Sequence, residues 1–241
     1  MSIISQVIFT VILGIFVFFI AKRVNFIRLN IALGRPQIVV GDKRQRWKNV
    51  LLIALGQKKM FKKPVPAVLH LLIYVGFVLI NIEVLEIILD GVLGSHRIFA
   101  SLLSDFYVPL ISFFEILASG VIFSCVLFLL RRNVIQVARF QKPEMKGWAS
   151  LDGNLILVIE IILMGALLSM NATDQLLQEM GNAAYPLTGS FLVSSWLIPI
   201  FDGYLPSTLV IIERTAWWFH IVGIFGFALY VTYSKHLHIF M

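Results

Sequence analysis

Cysteine is almost absent from this 241-residue sequence, and charged residues are scarce. The one cysteine, Cys125, excludes an internal disulfide, and a single thiolate cannot supply the four sulfur ligands that an iron–sulfur cluster usually takes. Only 14% of the residues are charged, whereas 59% are hydrophobic and the mean hydropathy is +0.90. A water-soluble domain of this size does not need so much apolar surface. The composition therefore predicts an all-α integral membrane protein.

Hydrophobic runs long enough to cross a bilayer occur five times. The predicted spans are about residues 3–21, 65–89, 107–130, 152–170 and 208–235. Asp152 is a candidate N-cap for the fourth of these helices. We expect one domain over residues 1–241, folded as a five-helix transmembrane bundle.

Basic residues are concentrated between the spans. Residues 22–63 contain 12 Lys and Arg residues against one acid, Asp42, and residues 131–146 contain five more. By the positive-inside rule both segments are predicted to be cytoplasmic. Loop 171–207 has three acids and no Lys or Arg, so we expect it outside, with the N-terminus outside and the C-terminus cytoplasmic. The net charge of +7 then indicates topology and contact with anionic lipid, and no nucleic-acid partner is expected.

Two histidines of the fifth span are placed for cofactor binding. His220 and His238 are 18 residues apart, which is five whole helical turns, so they are predicted to share one face about 27 Å apart. His70 lies near the cytoplasmic end of the second span, at a depth that matches His238 on an antiparallel helix. Bis-histidine ligation of a b-type haem requires this arrangement, and histidines within a bilayer are usually functional.

His220 would serve a second haem nearer the outer surface. The second span has no histidine at the matching depth, so His96 is the remaining candidate for its partner. His96 reaches inward only if residues 91–94 let the chain fold back. Otherwise His220 has a non-histidine partner or hydrogen-bonds a carboxylate. The sequence is therefore consistent with either one bound haem or two.

Acidic residues mark the outer half of the bundle. Glu83, Glu86 and Asp90 lie at i, i+3 and i+7 on the second span, and Glu213 and Arg214 are adjacent on the fifth. One interpretation is a quinone pocket near the outer surface. The residues that would handle protons there are Glu86, Asp90, His96, Arg97, Glu213 and Arg214. The other interpretation is that Glu213 and Arg214 pair with the second-span acids to fix helix packing.

Two sequence contexts resemble those of a family of membrane cytochromes. His70 lies in a Pro-x-x-x-His-x-x-x-Tyr-x-Gly-Phe pattern, and Trp217-Trp218-x-His220 is followed 18 residues later by His238. The chain resembles the cytochrome b gamma subunit of respiratory nitrate reductase. More closely, it resembles the membrane domain of heterodisulfide-reductase-like iron–sulfur oxidoreductases of the electron-transfer-flavoprotein:menaquinone type. The resemblance implies haem b, quinone or quinol chemistry, a cytoplasmic-side haem on His70 and His238, and an outer haem on His220.

The sequence departs from these families in two places. The nitrate reductase subunit has a second histidine about ten residues beyond the first on its second helix, where this chain has Ile80 and Asn81. In the closer relatives the chain often continues into a cysteine-rich iron–sulfur domain. Here that soluble part would be a separate subunit, or the sequence would be the membrane portion of a larger protein.

The predicted function is a haem b membrane subunit of the bacterial or archaeal cytoplasmic membrane. It would transfer electrons between the quinone pool and a cytoplasmic iron–sulfur, heterodisulfide-reductase-like or electron-transfer-flavoprotein-type partner. The alternatives are a small proton or ion transporter, with Glu83, Glu86, Glu115 and Glu160 as its relay, and a non-redox membrane anchor.

Overall fold

The computed structural model describes residues 2–35, 41–56, 58–140, 142–143, 146–234 and 237. Within these ranges the chain is helical and forms no strand. The helices are α1 (Ile3–Ala32), α2 (Lys43–Asn49), α3 (Pro64–Leu93), α4 (Ile98–Leu103), α5 (Tyr107–Asn133), α6 (Trp148–Glu179), α7 (Ile198–Phe201) and α8 (Pro206–Val231). Five of them, α1, α3, α5, α6 and α8, are long and apolar enough to cross a membrane, α5 together with the preceding α4. The prediction of five apolar helices is confirmed.

Proline and glycine set several helix ends. Pro64 and Pro206 stand at the first positions of α3 and α8, where the missing N–H is not needed. Gly94 follows α3 in the left-handed conformation (φ 74°) and ends it. The predicted N-cap at Asp152 was wrong. The helix begins four residues earlier at Trp148, and the buried Asp152 carboxylate accepts a hydrogen bond from the Tyr230 hydroxyl of α8.

Consecutive long helices alternate in direction around a core that contains Phe114, Leu167 and Ile221. α6 lies against α8 and α5, α3 packs on α5, and α1 lies on α3 and α8. The C-terminal halves of α3 and α6 meet the N-terminal parts of α1, α5 and α8 at one end of the bundle. We call this the acidic end, and the opposite end, where α3 begins and α8 ends, the basic end. The N-terminus and the end of α8 therefore lie at opposite ends of the bundle.

Contacts near both ends and in the middle hold α1, which is otherwise largely exposed. At the acidic end Phe9 is fully buried against Gly91, where a Cβ atom would lie 2.5 Å from the Phe9 ring. At the basic end the Arg23 guanidinium donates a hydrogen bond to the Thr232 carbonyl oxygen at 3.1 Å and stacks on the Tyr233 ring at 3.9 Å. α1 is thus held against the bundle at both the acidic end and the basic end.

α8 ends at Val231, earlier than the sequence predicted. The N–H groups of Thr232, Tyr233 and Ser234 bond to the carbonyl three residues back, so the α-helical register is lost there. The predicted alignment of His220 with His238 assumed one continuous helix, and that assumption fails at residue 232. His236 and His238 themselves lie outside the described residues.

Candidate functional site

A buried polar cluster fills the acidic end of the bundle, and it unites residues from α3, α5, α6 and α8 with the turn before α4. Its members are Glu83, Glu86, Asp90, His96, Arg97, Tyr107, Glu115, Asn171, Asp174, Tyr185, Glu213 and Arg214. All six residues that the sequence assigned to proton handling are among them. We refer to this set as the polar cluster.

Arg97 lies at the centre of the polar cluster. Its Nε donates to Asp174, its Nη1 donates to the Tyr107 hydroxyl at 3.1 Å, and its Nη2 donates to the side-chain amide oxygen of Asn171 at 2.8 Å. The guanidinium also stacks on the Phe191 ring at 4.7 Å. Burial is the largest single influence and lowers the pKa of Arg97, but the Asp174 carboxylate, the Tyr107 hydroxyl and a neighbouring acid together outweigh burial and raise that pKa above its ordinary value. Arg97 is therefore a permanent buried cation.

Glu86 and Asp90 hold the turn that carries His96 and Arg97. The Asp90 carboxylate accepts the N–H of Arg97 at 2.7 Å and of Ile98 at 3.1 Å, and also the Ser95 hydroxyl at 2.6 Å. Glu86 accepts the N–H of Phe99 at 2.8 Å and the Tyr107 hydroxyl at 3.0 Å. Arg97 has a positive φ of 53°, which a non-glycine residue adopts only when its surroundings impose it. Both acids therefore position the turn.

The reversal at Gly94 turns His96 into the bundle, as the sequence analysis required for an inward-facing histidine. Its Nε2 lies 3.3 Å from Asp174 and its Nδ1 lies 3.5 Å from the Arg214 Nη2. Its ring contacts the edge of Tyr185, with the ring centroids 4.8 Å apart. A neutral imidazole that donates to Asp174 and accepts from Arg214 satisfies both contacts.

Glu213 and Arg214 bond to each other, through two N–H groups of the guanidinium. Tyr185 donates a hydrogen bond to Glu213 at 2.8 Å. Burial and then the Glu213 carboxylate raise the pKa of Tyr185, which keeps the phenol as a donor. Arg214 remains 27% exposed at the bundle surface. One interpretation expected this pair to bond to the second-span acids, but among the described residues its hydrogen bonds run within α8 and to Tyr185 and His96.

Several members of the polar cluster were absent from the predicted site. Asn171 and Asp174 were assigned to the outer loop, but α6 continues to Glu179 and buries both. Glu115 accepts from the Asn171 amide at 3.0 Å and from the N–H groups of Val193 and Ser194 at 2.8 and 3.1 Å. The i, i+3 spacing of Asn171 and Asp174 directly after an apolar run was the available signal.

Three cavities adjoin the polar cluster. An enclosed cavity of about 20 Å³ is bordered by Glu83, Asp90, His96, Arg97 and Asp174, among others. A larger outer cavity of about 550 Å³ shares His96 and Arg97 with it. A shallow lateral groove, with about 470 Å³ of open space, lies on the face of α8. It is lined by Arg214, Thr215, Trp218, Phe219 and Val222. His96 and Arg214 therefore lie between the interior and two openings.

Two of the haem-candidate histidines, His70 and His220, lie away from the polar cluster. His220 is fully buried in the middle of α8, and its Nδ1 lies 2.8 Å from the Leu163 carbonyl oxygen of α6. Its Nε2 is buried and has no hydrogen-bond partner among the described residues. His70 lies on α3 near the basic end, and His238 is outside the described residues. In an axial histidine, one ring nitrogen usually donates a hydrogen bond to a neighbouring group and the other is free to bind the iron.

No family model matches the chain, and no solved structure matches it significantly. Two curated proteins are similar to it. The probable iron-sulfur-binding oxidoreductase FadF of Bacillus subtilis is 23% identical over 225 residues, which cover 93% of this chain and 29% of that protein. The EtfAB:quinone oxidoreductase of Syntrophomonas wolfei is 26% identical over 218 residues, which cover 86% of this chain and 28% of that protein. The chain thus spans less than a third of the length of these relatives.

Proposed function

We propose that this chain is the membrane module of an electron-transfer oxidoreductase that exchanges electrons between membrane quinone and an iron–sulfur or flavoprotein partner. The names of the two relatives and the five apolar helices support the proposal. The observation that carries it is the position of Arg214. This residue lines a groove open to the bilayer and at the same time reaches His96 in a buried polar cluster.

The lateral groove suits a quinone. Trp218, Phe219 and Val222 offer an apolar surface to the ring and its isoprenoid tail, while Arg214 offers N–H donors at the inner edge. Quinone carbonyl oxygens are hydrogen-bond acceptors, so they need such donors. Glu213 and Tyr185 fix the Arg214 guanidinium from behind. His96, held by the Glu86 and Asp90 turn, lies next inward and links Arg214 to Asp174.

Haem b belongs to the same proposal. His70 and His238 would hold one haem near the basic end, and His220 would hold a second in mid-bundle. A bound haem supplies a one-electron carrier between quinone and partner. The free Nε2 of the buried His220 is the feature that fits this role. Because both ring nitrogens of His96 face charged groups, we place His96 at the quinone rather than on the iron.

We further propose that the protein lies in the cytoplasmic membrane of a bacterium or archaeon. Its basic end would face the cytoplasm, where segment 22–63 meets anionic lipid headgroups and the soluble partner. Electrons would then cross the bilayer between the two ends of the bundle.

Spectroscopy of the purified, haem-replete protein tests the proposal. We expect a b-type α band in the reduced-minus-oxidised spectrum. The soluble quinol menadiol should reduce the haem and so produce that band. Absence of the band would contradict the haem assignment and favour the transporter or anchor alternative.

A matched pair of variants tests the quinone site. Arg214→Gln should raise the KM for menadiol and slow haem reduction, because the donor at the groove is weakened. Arg132→Gln makes the same change at the basic end, where Arg132 bonds to Asn154, and should leave menadiol kinetics unchanged. Equal behaviour of the two variants would remove the groove from the proposal.

A further inference from the structure

Glu83 differs from every other buried carboxyl of the polar cluster. It is 2% exposed, and neither of its carboxyl oxygens has a hydrogen-bond partner among the described residues. The five neighbouring carboxyls all accept hydrogen bonds. These are Glu86, Asp90, Glu115, Asp174 and Glu213. A single unsatisfied carboxyl in an otherwise satisfied network needs an explanation.

The positive charges of the polar cluster are already engaged. Arg97 pairs with Asp174, and Arg214 pairs with Glu213. The groups near enough to favour an ionised Glu83 are Arg97, which already pairs with Asp174, and the Asn171 amide, which already donates to Glu115. An ionised Glu83 would therefore be a buried carboxylate without a partner of its own, and that is costly in a low-dielectric interior. The neutral acid avoids most of this cost. Glu83 thus holds a proton at rest.

The enclosed cavity gives this proton a route. Glu83 borders the cavity, whose volume of about 20 Å³ suffices for one water molecule. Asp90, His96 and Asp174 border the same space and supply polar partners for that water. His96 also lines the outer cavity and contacts Arg214 at the lateral groove. The path from Glu83 therefore leads through water and His96 to both openings.

We propose that Glu83, acting through a water in the enclosed cavity, is the proton donor and acceptor of the quinone site. The inference rests on the proposed quinone function. Reduction of a quinone takes two electrons, from the reduced flavin or iron–sulfur partner of that function, and two protons. Glu83 supplies one of the two protons: its O–H bond breaks, the proton passes through the water and His96, and an O–H bond forms on the quinone oxygen. The carboxylate is then reprotonated from the outer cavity by way of His96, and the second quinone proton follows the same route. Quinol oxidation reverses each transfer.

The experiment compares Glu83→Gln with Glu160→Gln. Glu160 is also a buried glutamate, but it borders a separate cavity with Gly76 and Phe227. With menadiol as the electron donor, Glu83→Gln should lower the rate of haem reduction by about 10²-fold, the scale of losing a positioned acid or base, with the KM little changed. Glu160→Gln should retain the wild-type rate.

Redox-induced infrared difference spectra provide a readout that a structural role would not move. The wild-type protein should show a protonated-carboxyl C=O band that shifts in D₂O, is lost in Glu83→Gln and is kept in Glu160→Gln. Wild-type rates in Glu83→Gln, or a band that survives in it, would overturn the assignment while leaving the quinone function standing. Absence of menadiol-dependent reduction in the wild type would instead overturn both. If Glu83→Gln does not accumulate, Glu83→Asp should keep the band at an altered frequency and a reduced rate, and an unaltered band would contradict the proposal.

Discussion

The Nδ1 atom of His220 and the carbonyl oxygen of Leu163 lie 2.8 Å apart, in the middle of the bundle. Carbonyl oxygens only accept, so the Nδ1 carries the proton and the Nε2 presents a lone pair. Leu163 lies within α6, where its carbonyl would ordinarily serve that helix alone, and here it also fixes a ring on α8. The contact therefore selects one tautomer and one orientation for a fully buried histidine.

This tautomer predicts the effect of replacing His220. His220→Ala should lower the haem content by one per polypeptide, because the free Nε2 is removed, whereas His96→Ala should leave the haem content unchanged. A pyridine haemochrome assay against protein concentration measures both. A loss of one haem in His96→Ala would make His96 an axial ligand and return it to the role that the sequence analysis considered.

The contact between Phe9 and Gly91 predicts a steric coupling of α1 to α3. Gly91→Ala places a methyl group 2.5 Å from the Phe9 ring and should destabilise the protein by about 1–3 kcal/mol. Gly165→Ala, where no atom lies within 4 Å, is the matched control and should be neutral or stabilising. Thermal unfolding in detergent measures the difference. In a Phe9→Ala background the Gly91 substitution should lose its effect, and additive effects would exclude the coupling.

Asp174 and Arg97 form a buried ion pair, so removal of one partner should strongly destabilise the folded protein. Asp174→Ala leaves the Arg97 charge without its main counter-ion and should destabilise the fold by about 3–5 kcal/mol. Glu179→Ala removes an exposed carboxylate at the end of the same helix and should change stability by less than about 0.5 kcal/mol. Similar melting temperatures for the two variants would show that water reaches and stabilises Arg97.

The raised pKa of Tyr185 predicts a pH dependence at the alkaline side. In the unfolded protein the Tyr185 phenol ionises at about pH 10, whereas in the folded protein the buried phenol resists ionisation. Its contribution to stability is therefore complete below about pH 10 and declines above that value. Tyr185→Phe should be less stable than wild type at pH 8, and the gap should narrow at higher pH. A gap that stays constant through pH 11 would contradict the burial of the phenol beside Glu213 in the folded state.

The fold was predictable where the sequence carries a long-range pattern. Five apolar runs suffice to predict five helices, because backbone groups in lipid must be satisfied within the helix. The inward position of His96 depended on a chain reversal, and Gly94 was its visible signal. The end of α8 at Val231 had no comparable signal, since neither glycine nor proline follows it in the sequence.

The sequence predicted which residues belong to the site better than it predicted what each of them does there. Glu86 and Asp90 were correctly grouped with Arg97, but their partners are main-chain N–H groups that sequence spacing does not reveal. Whether a buried carboxyl is satisfied depends on every element around it. Glu83 shares a helical face with Glu86 and Asp90, yet only the packed structure distinguishes it from them.

Side chains of the spanning helices bind the main chain of the connecting loops at the acidic end. The acceptors are Glu86 for Phe99, Asp90 for Arg97 and Ile98, Glu115 for Val193 and Ser194, Gln175 for Phe191, and Gln178 for Thr188. Main-chain N–H groups are the same in every residue except proline. The path of these loops is therefore encoded largely in the helices, and loop positions whose side chains stand outside the polar cluster can change without losing it. Grafted loops that preserve length and keep His96, Arg97, Tyr185 and Phe191 should be accepted, whereas a proline at any of these donor positions should not be tolerated.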